Sequence, residues 1–192
     1  MTATEPLPGL VAGLWTIDTA HSEIIFTIRH LMSTVRGSFT DFSGEVVIAD
    51  DPYASWAQAE IVTPSVDTRE TDRDVHVRSA DFLDVERYPI MSFVTTGVSP
   101  ARTGRRARQL RYTVDGVLTV KEVSRPVQLL TEYHGVRGDQ YGGTRAGFTA
   151  STMINRFDFG VMWNLPLQGD RLLLGDEVAI HLEIQAVLTD RS

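Results

Sequence analysis

The chain of 192 residues carries 18 Lys and Arg against 25 Asp and Glu, which gives a formal net charge of −7. This acidity argues against a general nucleic-acid binder, because phosphate backbones attract basic proteins. Hydrophobic residues make up 42% of the chain, and the length fits one globular domain with a sizeable core. The absence of cysteine excludes disulfides, thiolate zinc sites and cysteine nucleophiles.

The N-terminal region lacks the features of a secretory signal. The first Lys or Arg is Arg29, so no basic segment precedes the mildly apolar stretch from Leu7 to Trp15, and Pro8 and Gly9 interrupt that stretch. No apolar stretch in the sequence approaches the roughly 18 to 20 residues of a membrane span. We therefore expect a cytoplasmic protein without an integral membrane segment.

Apolar and polar residues alternate along much of the chain. The pattern is clearest over residues 110–120, 146–154 and 178–188. A period of two indicates a strand with one buried and one solvated face, as in an antiparallel sheet. Further segments with this or a weaker pattern bring the count to about eight strands; they are residues 24–28, 35–48, 57–63, 90–97 and 127–133.

One highly charged segment, residues 68–80, breaks this pattern. Asp67 and Thr68, at its start, are possible N-caps, and Asp74 and Arg78 have the four-residue spacing of an ion pair on a helix. We predict a short polar surface helix within an insertion of about residues 68–84.

Several predicted strands run roughly 12 to 14 residues, well beyond the common length. About eight such strands can close into a tall barrel, whose interior is filled by side chains or holds one ligand. Gly37, Gly44 and Gly116 fit the bends that closure requires. We predict an all-β fold: an elongated eight-stranded antiparallel lipocalin-like β-barrel in one domain, residues 13–190, after an N-terminal tail, residues 1–12. A tall apolar lumen would suit a long-chain molecule.

Sequence motifs support this prediction. They occur in the order WTIDTAHS at 15–22, VRGSF at 35–39, DRDVHVRSADFLDV at 72–85, VDGVLTVK at 114–121 and INRFDFG at 154–160. Together they resemble the YceI-like family of lipocalin-like polyisoprenoid-binding proteins, over about residues 14–188. The resemblance implies an elongated barrel, often dimeric, that holds a polyisoprenoid or related lipid in an apolar tunnel, with no known catalysis. We therefore expect a homodimer that binds a polyisoprenoid or isoprenoid quinone for carriage or storage.

The candidate tunnel wall consists of large apolar residues on predicted inward faces and in the family motifs. These residues are Phe26, Ile28, Phe39, Phe42, Phe93, Leu118, Phe148, Ile154 and Trp163. The alternative is a fully packed barrel core, in which the same side chains contact only one another.

Arg73 and His76 are the candidate head-group residues. Both lie on the predicted helix, where cationic donors could meet a pyrophosphate or another polar head group at a tunnel mouth. The alternative is a solvated helix face, with salt bridges to Asp72 and Asp74.

Two further motifs have structural interpretations. Gly13 and Trp15 form a Gly-x-Trp at the start of the first strand, as in lipocalins, where the indole closes one end of the barrel. Arg156 and Asp158 flank Phe157 in a predicted strand, so we expect them to point the same way and to bridge strands.

A cluster of arginines lies in one predicted hairpin, and it could mediate transient contact with anionic membranes. The cluster consists of Arg102, Arg105, Arg106, Arg108 and Arg111. The alternative is compositional bias, since Lys121 is the one lysine of the chain.

Neither a metal nor a catalytic motif is recognisable. The five histidines lack metal-binding spacings, and the chain contains no GxSxG, GxGxxG or phosphate-binding loop motif. We expect no catalysis, no metal and no cofactor. Two alternatives stay open: an enzyme acting on an isoprenoid or a stress-related small molecule, and a ligand-free interaction scaffold.

Overall fold

A computed structural model of the chain describes residues 7–101, 110–140, 142–167 and 172–191. Within these residues the chain forms eleven strands and the helix α1, Thr71–Arg78. The strands are β1 (Gly13–Ile17), β2 (Glu23–His30), β3 (Ser33–Phe39), β4 (Phe42–Ile48), β5 (Trp56–Val62), β6 (Val66–Asp67), β7 (Ile90–Pro100), β8 (Leu110–Val120), β9 (Val123–Gly138), β10 (Thr144–Asn155) and β11 (Leu174–Arg191).

The strands close into an eight-stranded antiparallel barrel. β1 pairs with β4 on one side and with β11 on the other, which joins the ends of the order β1-β4-β5-β7-β8-β9-β10-β11. Farther along, β11 pairs with β2, β2 with β3 and β3 with β6. Only short segments separate β1 from β2 and β3 from β4, so each pair acts as one long bent strand. The predicted all-β barrel with a helical insertion is confirmed.

Residues that alternate in sequence also alternate between the inside and the outside of the barrel. On β10 and β11, Phe148 pairs with Ile184 and Ile154 with Val178, and all four face the interior. Met153, the neighbour of Ile154, is 57% exposed. The predicted period of two is confirmed here, because successive side chains of a strand point to opposite faces.

A buried aromatic cluster fills one end of the barrel, called here the Trp15 end. Trp15 is 1% exposed and packs with Ile48, Tyr133 and Ala186 from three other strands. Its indole N–H donates to the carbonyl of Val11 at 3.2 Å. The predicted role of Trp15 in closing one barrel end is therefore confirmed.

The opposite end, called here the helix end, carries the insertion with α1. The helix is shorter than predicted, and its N-cap is Glu70, whose carboxylate accepts from the backbone N–H groups of Asp72 and Arg73. Thr68 does not cap the helix, because its N–H and hydroxyl both donate to Oδ1 of Asp74, at 2.8 and 2.6 Å.

The predicted ion pair between Asp74 and Arg78 is not among the ion pairs of the described residues. Instead, Arg78 donates to the carbonyls of Pro64 and Val66 at 2.8 and 2.6 Å, so that it ties the C-terminal turn of α1 to the chain before it. Asp74 and Arg78 do lie one turn apart on α1, as predicted, but the hydrogen-bond partners of both side chains lie in the chain before the helix.

Two of the strand glycines make room for aromatic rings. A Cβ at Gly37 would lie 2.4 Å from the ring of Phe26 on β2, and a Cβ at Gly116 would lie 2.3 Å from the ring of Phe93 on β7. Each ring therefore lies flat over a neighbouring strand at a place where that strand has no side chain. This arrangement keeps both rings close to the barrel wall.

Candidate functional site

The barrel encloses an apolar cavity of about 750 Å³. It extends from Tyr112, close to the Trp15 end, to Trp163 and α1 at the helix end. All nine residues predicted to form the tunnel wall line this cavity, and they are Phe26, Ile28, Phe39, Phe42, Phe93, Leu118, Phe148, Ile154 and Trp163. The structure therefore brings the whole predicted wall together around one space.

Many wall residues contact one another on one side and leave open space on the other. Phe26, Phe39, Phe93 and Phe148 are only partly buried, although all four side chains line the interior. In a close-packed core such large apolar side chains would be fully enclosed by their neighbours. The alternative of a fully packed barrel therefore does not hold.

Among the described residues, the charged side chains that line the cavity lie at one end of it. The charged residues that line it, Glu70, Asp72, Arg73 and Arg156, belong to the insertion and to the turn after β10, both at the helix end. Around Tyr112 and the Trp15 end, the described lining residues are uncharged. A polar group at the apolar end would lose hydration without compensation, so the helix end is the part of the cavity suited to a polar group.

Arg73 lies at the helix end and is held by Thr68. Its Nε donates to the Thr68 hydroxyl and its Nη2 to the Thr68 carbonyl, both at 2.8 Å. The hydroxyl of Thr68 in turn donates to the buried carboxylate of Asp74. The predicted alternative, salt bridges from Arg73 to Asp72 and Asp74, is not seen among the described residues.

His76 also lies at the helix end, within an aromatic cluster. Its Nε2 is 2.9 Å from Oδ2 of Asp81. Its ring meets the rings of Phe82 and Trp163 edge to face, with centroids 5.0 and 4.6 Å apart. These contacts place His76 beside Trp163, one of the predicted wall residues, so the cluster joins α1 to the cavity wall.

Arg156 organises the loop that carries Trp163. Its side chain is 4% exposed, and its Nη1 donates to the carbonyls of Val161 and Trp163 at 2.7 and 2.8 Å. Its Nε donates to the carbonyl of Gly175 at 2.9 Å, which connects this loop to β11. Burial lowers the pKa of the Arg156 guanidinium, against a smaller opposite effect of the Asp176 carboxylate.

The predicted strand around Arg156 is wrong. Residues Arg156–Phe159 form a 3-10 turn instead. Gly160, in the left-handed conformation at φ 71°, ends the turn, and its backbone N–H donates to the carbonyls of Arg156 and Phe157. Asp158 therefore does not point along a strand face with Arg156. The cation contacts the backbone of the following loop instead.

Comparison with known proteins identifies the family. The YceI-like domain matches residues 15–186. The chain belongs to the YceI-like family. A UPF0312 protein of Pseudomonas putida strain GB-1 is 38% identical over 143 residues, which cover 73% of this chain and 71% of the relative.

Solved structures agree with this YceI-like fold. BcnA of Burkholderia cenocepacia aligns with a TM-score of 0.72 at 24% identity, over 88% of this chain and 98% of its own. A domain from Saccharophagus degradans, described as a polyisoprenoid binding domain implicated in plant cell wall breakdown, aligns with a TM-score of 0.68 at 12% identity. That alignment covers 91% of this chain and 98% of the neighbour. At these identities the likeness shows the fold.

The cavity of this YceI-like protein also uses residues that the predicted wall omits. Ile61, Met91 and Ile180 line it from β5, β7 and β11, where the same alternation of apolar residues could have indicated them. Phe159 and Val161 line it from the turn and loop after β10. No periodic signal could have indicated these two, because they lie outside regular structure.

The arginine hairpin falls largely outside the described residues. Arg102, Arg105, Arg106 and Arg108 lie there, while Arg111 forms an ion pair with Glu132 of β9. Within the described ranges, no group of three or more His, Asp or Glu side chains is placed to hold a metal ion. The described helices include none that is both long and apolar enough to cross a membrane.

Proposed function

We propose that this YceI-like protein binds a long-chain apolar lipid, a polyisoprenoid or an isoprenoid quinone, in its cavity for carriage or storage. The observation that carries this proposal is the hollow apolar lumen of about 750 Å³. Barrels of eight strands are just wide enough either to be filled by side chains or to hold one small ligand, and this one is not filled. The description of the Saccharophagus neighbour as a polyisoprenoid binding domain supports the lipid class.

The size of the cavity limits the length of the chain. At about 30 Å³ per carbon-sized group, the share of one water molecule in the liquid, a cavity of about 750 Å³ takes roughly 25 carbon atoms. Burial of that many methylene-like groups, at about 0.8 kcal/mol each, gives a gross driving force on the order of 20 kcal/mol. Loss of translational and chain freedom offsets much of it. Affinity is therefore ample, and cavity length and head-group contacts determine specificity.

Each set of predicted site residues has a role in this proposal. The nine wall residues contact the chain, while Arg73 and His76 lie beside the head group at the helix end. We also propose a homodimer, as the family resemblance implies. Binding without turnover is the proposed activity.

Extraction of the bound lipid tests the proposal directly. The protein is purified from its own host without detergent, extracted with organic solvent, and the extract is analysed by mass spectrometry. We expect one polyprenyl or quinone species at a stoichiometry close to one per chain. A lipid-free extract from folded protein would contradict the proposal and favour a ligand-free scaffold or an enzyme with a transient substrate.

A matched pair of variants controls for lipid that adheres to the surface. Leu118 and Val117 are neighbours on β8, and only Leu118 lines the cavity. Leu118→Trp fills part of the lumen, whereas Val117→Trp adds the same bulk outside it. The extract of Leu118→Trp should lose the lipid while that of Val117→Trp keeps it; equal lipid content in both would show that the lipid is not in the lumen.

A further inference from the structure

A patch of exposed apolar side chains lies at the helix end of the barrel, and it is called here the mouth patch. Two of its members form the turn between β2 and β3, and four lie between the 3-10 turn and β11. Each is more than a third exposed; they are Leu31, Met32, Met162, Leu165, Leu167 and Leu172. A single exposed leucine is ordinary, but a group of this size on two neighbouring segments marks an interaction surface.

Hydrogen bonds join the two segments of the mouth patch. The N–H of Leu31 donates to the carbonyl of Leu173, and the N–H of Leu173 donates to the carbonyl of Leu165, both at 2.9 Å. Residues within or directly beside these segments line the cavity, namely His30, Trp163 and Leu173. The exposed patch and the cavity wall are therefore continuous.

The cavity opens to solvent at this end. Glu70 and Asp72 line the cavity and are exposed. Both lie at the start of α1, and the ring of Trp163 contacts His76 of the same helix. The mouth patch therefore borders an opening of the cavity.

The turn between β2 and β3 places large apolar residues where folding does not require them. His30 pairs with Ser33, so Leu31 and Met32 form a two-residue turn. Leu31 has φ 53°, in the left-handed region that favours glycine, and Met32 is 95% exposed. Glycine or a short polar residue suits such a turn better. Contact with an apolar partner accounts for this tip, whereas folding does not.

The mouth patch is uncharged. Residues 31–35 and 161–167 contain no Asp, Glu, Lys or Arg. In the cavity beside them, the carboxylates of Glu70 and Asp72 offset the guanidiniums of Arg73 and Arg156. The whole chain carries a net charge of −7, so an anionic surface would repel it. The partner that fits this patch is therefore apolar and carries no net charge.

We propose that the mouth patch docks on a bilayer of zwitterionic lipid, with its side chains at the boundary between head groups and acyl chains. In this position the opening of the cavity faces the apolar phase that dissolves a long-chain lipid, and the ligand passes between bilayer and cavity without crossing water. The inference rests on the proposed function. A second copy of the chain on the same patch would cover the opening through which the ligand enters, so the position of the patch favours the bilayer.

Flotation with vesicles of phosphatidylcholine tests the docking. The full chain should float with the vesicles, and high salt should leave the bound fraction unchanged, because salt screens charges and not apolar burial. Met32→Gln with Leu165→Gln removes one apolar side chain from each segment and changes no charge. The partition coefficient of this double variant should be lower by about 10-fold or more.

A second double variant is the matched control. Met153 and Leu130 are also an exposed methionine and an exposed leucine, but they lie on the outer wall, since their chain neighbours Ile154 and Leu129 line the cavity. Met153→Gln with Leu130→Gln should float like the unchanged chain. An equal loss in the two double variants, or a requirement for anionic lipid, would overturn the inference.

Ligand transfer separates the inference from the function beneath it. A fluorescent polyprenol analogue is offered to the delipidated chain in labelled phosphatidylcholine vesicles. Met32→Gln with Leu165→Gln should slow its uptake about 10-fold while the equilibrium affinity for the analogue stays unchanged, because the cavity is intact. Unchanged uptake would overturn the inference and leave the proposed function standing. Uptake by neither chain would overturn the proposed function, and the inference with it.

Sedimentation velocity tests whether a second copy occupies the patch. Both double variants should keep the oligomeric state of the unchanged chain. Dissociation caused only by Met32→Gln with Leu165→Gln would assign the mouth patch to an interface between two copies and overturn the inference.

Discussion

Replacing Gly37 by alanine should narrow the lumen without unfolding the barrel. The added Cβ would lie 2.4, 2.8 and 3.0 Å from three ring atoms of Phe26, and no other group lies as close. The Phe26 ring must therefore move by at least about 1 Å to reach ordinary contact. Gly37 pairs with Phe26 across β2 and β3, and the Phe26 ring lies between Gly37 and the cavity. A ring pushed away from Gly37 therefore moves into the cavity.

The size of the effect follows from the empty lumen. Overpacking a filled core typically costs about 1 to 3 kcal/mol, but here the Phe26 ring moves into open space. Alanine also reduces the conformational entropy of the unfolded chain, which stabilises by about 0.4 to 1 kcal/mol. We expect the free energy of unfolding to change by less than about 1 kcal/mol. The bound chain loses the space of one or two methylenes, at about 0.8 kcal/mol each, so affinity falls about 4- to 15-fold.

Two assays and two controls check this reasoning. Urea unfolding measures stability, and displacement of a fluorescent lipid analogue measures affinity. Gly97→Ala is the matched control, because nothing lies within 4 Å of a Cβ at Gly97. Phe26→Ala combined with Gly37→Ala should recover affinity, since the displaced ring is gone. Unchanged affinity of Gly37→Ala, or a loss of stability above about 3 kcal/mol, would refute the account of a ring displaced into an empty lumen.

Three further predictions concern the lumen face of β10, the loop held by Arg156, and the ion pair between Asp18 and Arg145. Ile154→Asp should abolish lipid binding while Met153→Asp does not, because only the first puts a carboxylate in the lumen, where an apolar ligand chain would remove its hydration. Equal lipid binding by the two variants in the displacement assay would contradict this prediction. Arg156→Met leaves three carbonyls without their donor, so the free energy of unfolding measured in urea should fall by about 3 kcal/mol or more, and Arg156→Lys should recover part of it. A fall below about 1 kcal/mol would refute the role of Arg156 in the loop. The hydrogen bond from Arg145 holds the pKa of the Asp18 carboxyl below its ordinary 3.8, so the stabilisation of the fold by this carboxylate is present above that pH and is lost as the pH falls through the folded-state pKa. Asp18→Asn should therefore lower the free energy of unfolding at neutral pH and make it fall less steeply in acid. An unchanged dependence of stability on acid pH would contradict this.

The sequence alone determined the barrel and the wall of its cavity. Inward residues such as Leu118 and Phe148 follow from a period of two, which depends only on the local geometry of a strand. The length of the alternating segments indicated tall strands, and the motif order indicated the family. The Gly-x-Trp at residues 13–15 correctly indicated a closed end, because a buried indole at a strand start has few other places to pack.

Local patterns were insufficient where a side chain finds its partner far along the chain. Arg156 directly follows an alternating segment, so the alternation predicted a strand that continues through Arg156. In the structure its guanidinium instead donates to backbone carbonyls, one of them 19 residues further along the chain. Asp74 has a helical spacing to Arg78, but the loop before α1 brings Thr68 to it instead. The cap at Glu70 depends on that same loop.

Whether the barrel is hollow was decided by the tertiary structure. A filled and an empty barrel can have the same large apolar residues on their strands. Alternation in the sequence specifies which side chains point inward, but not whether those side chains meet one another across the interior. Emptiness depends on the diameter at which the ring of strands closes and on rings such as Phe26 and Phe93 lying flat over Gly37 and Gly116. Those contacts join residues on neighbouring strands, and only the closed barrel brings all of its wall residues around one cavity.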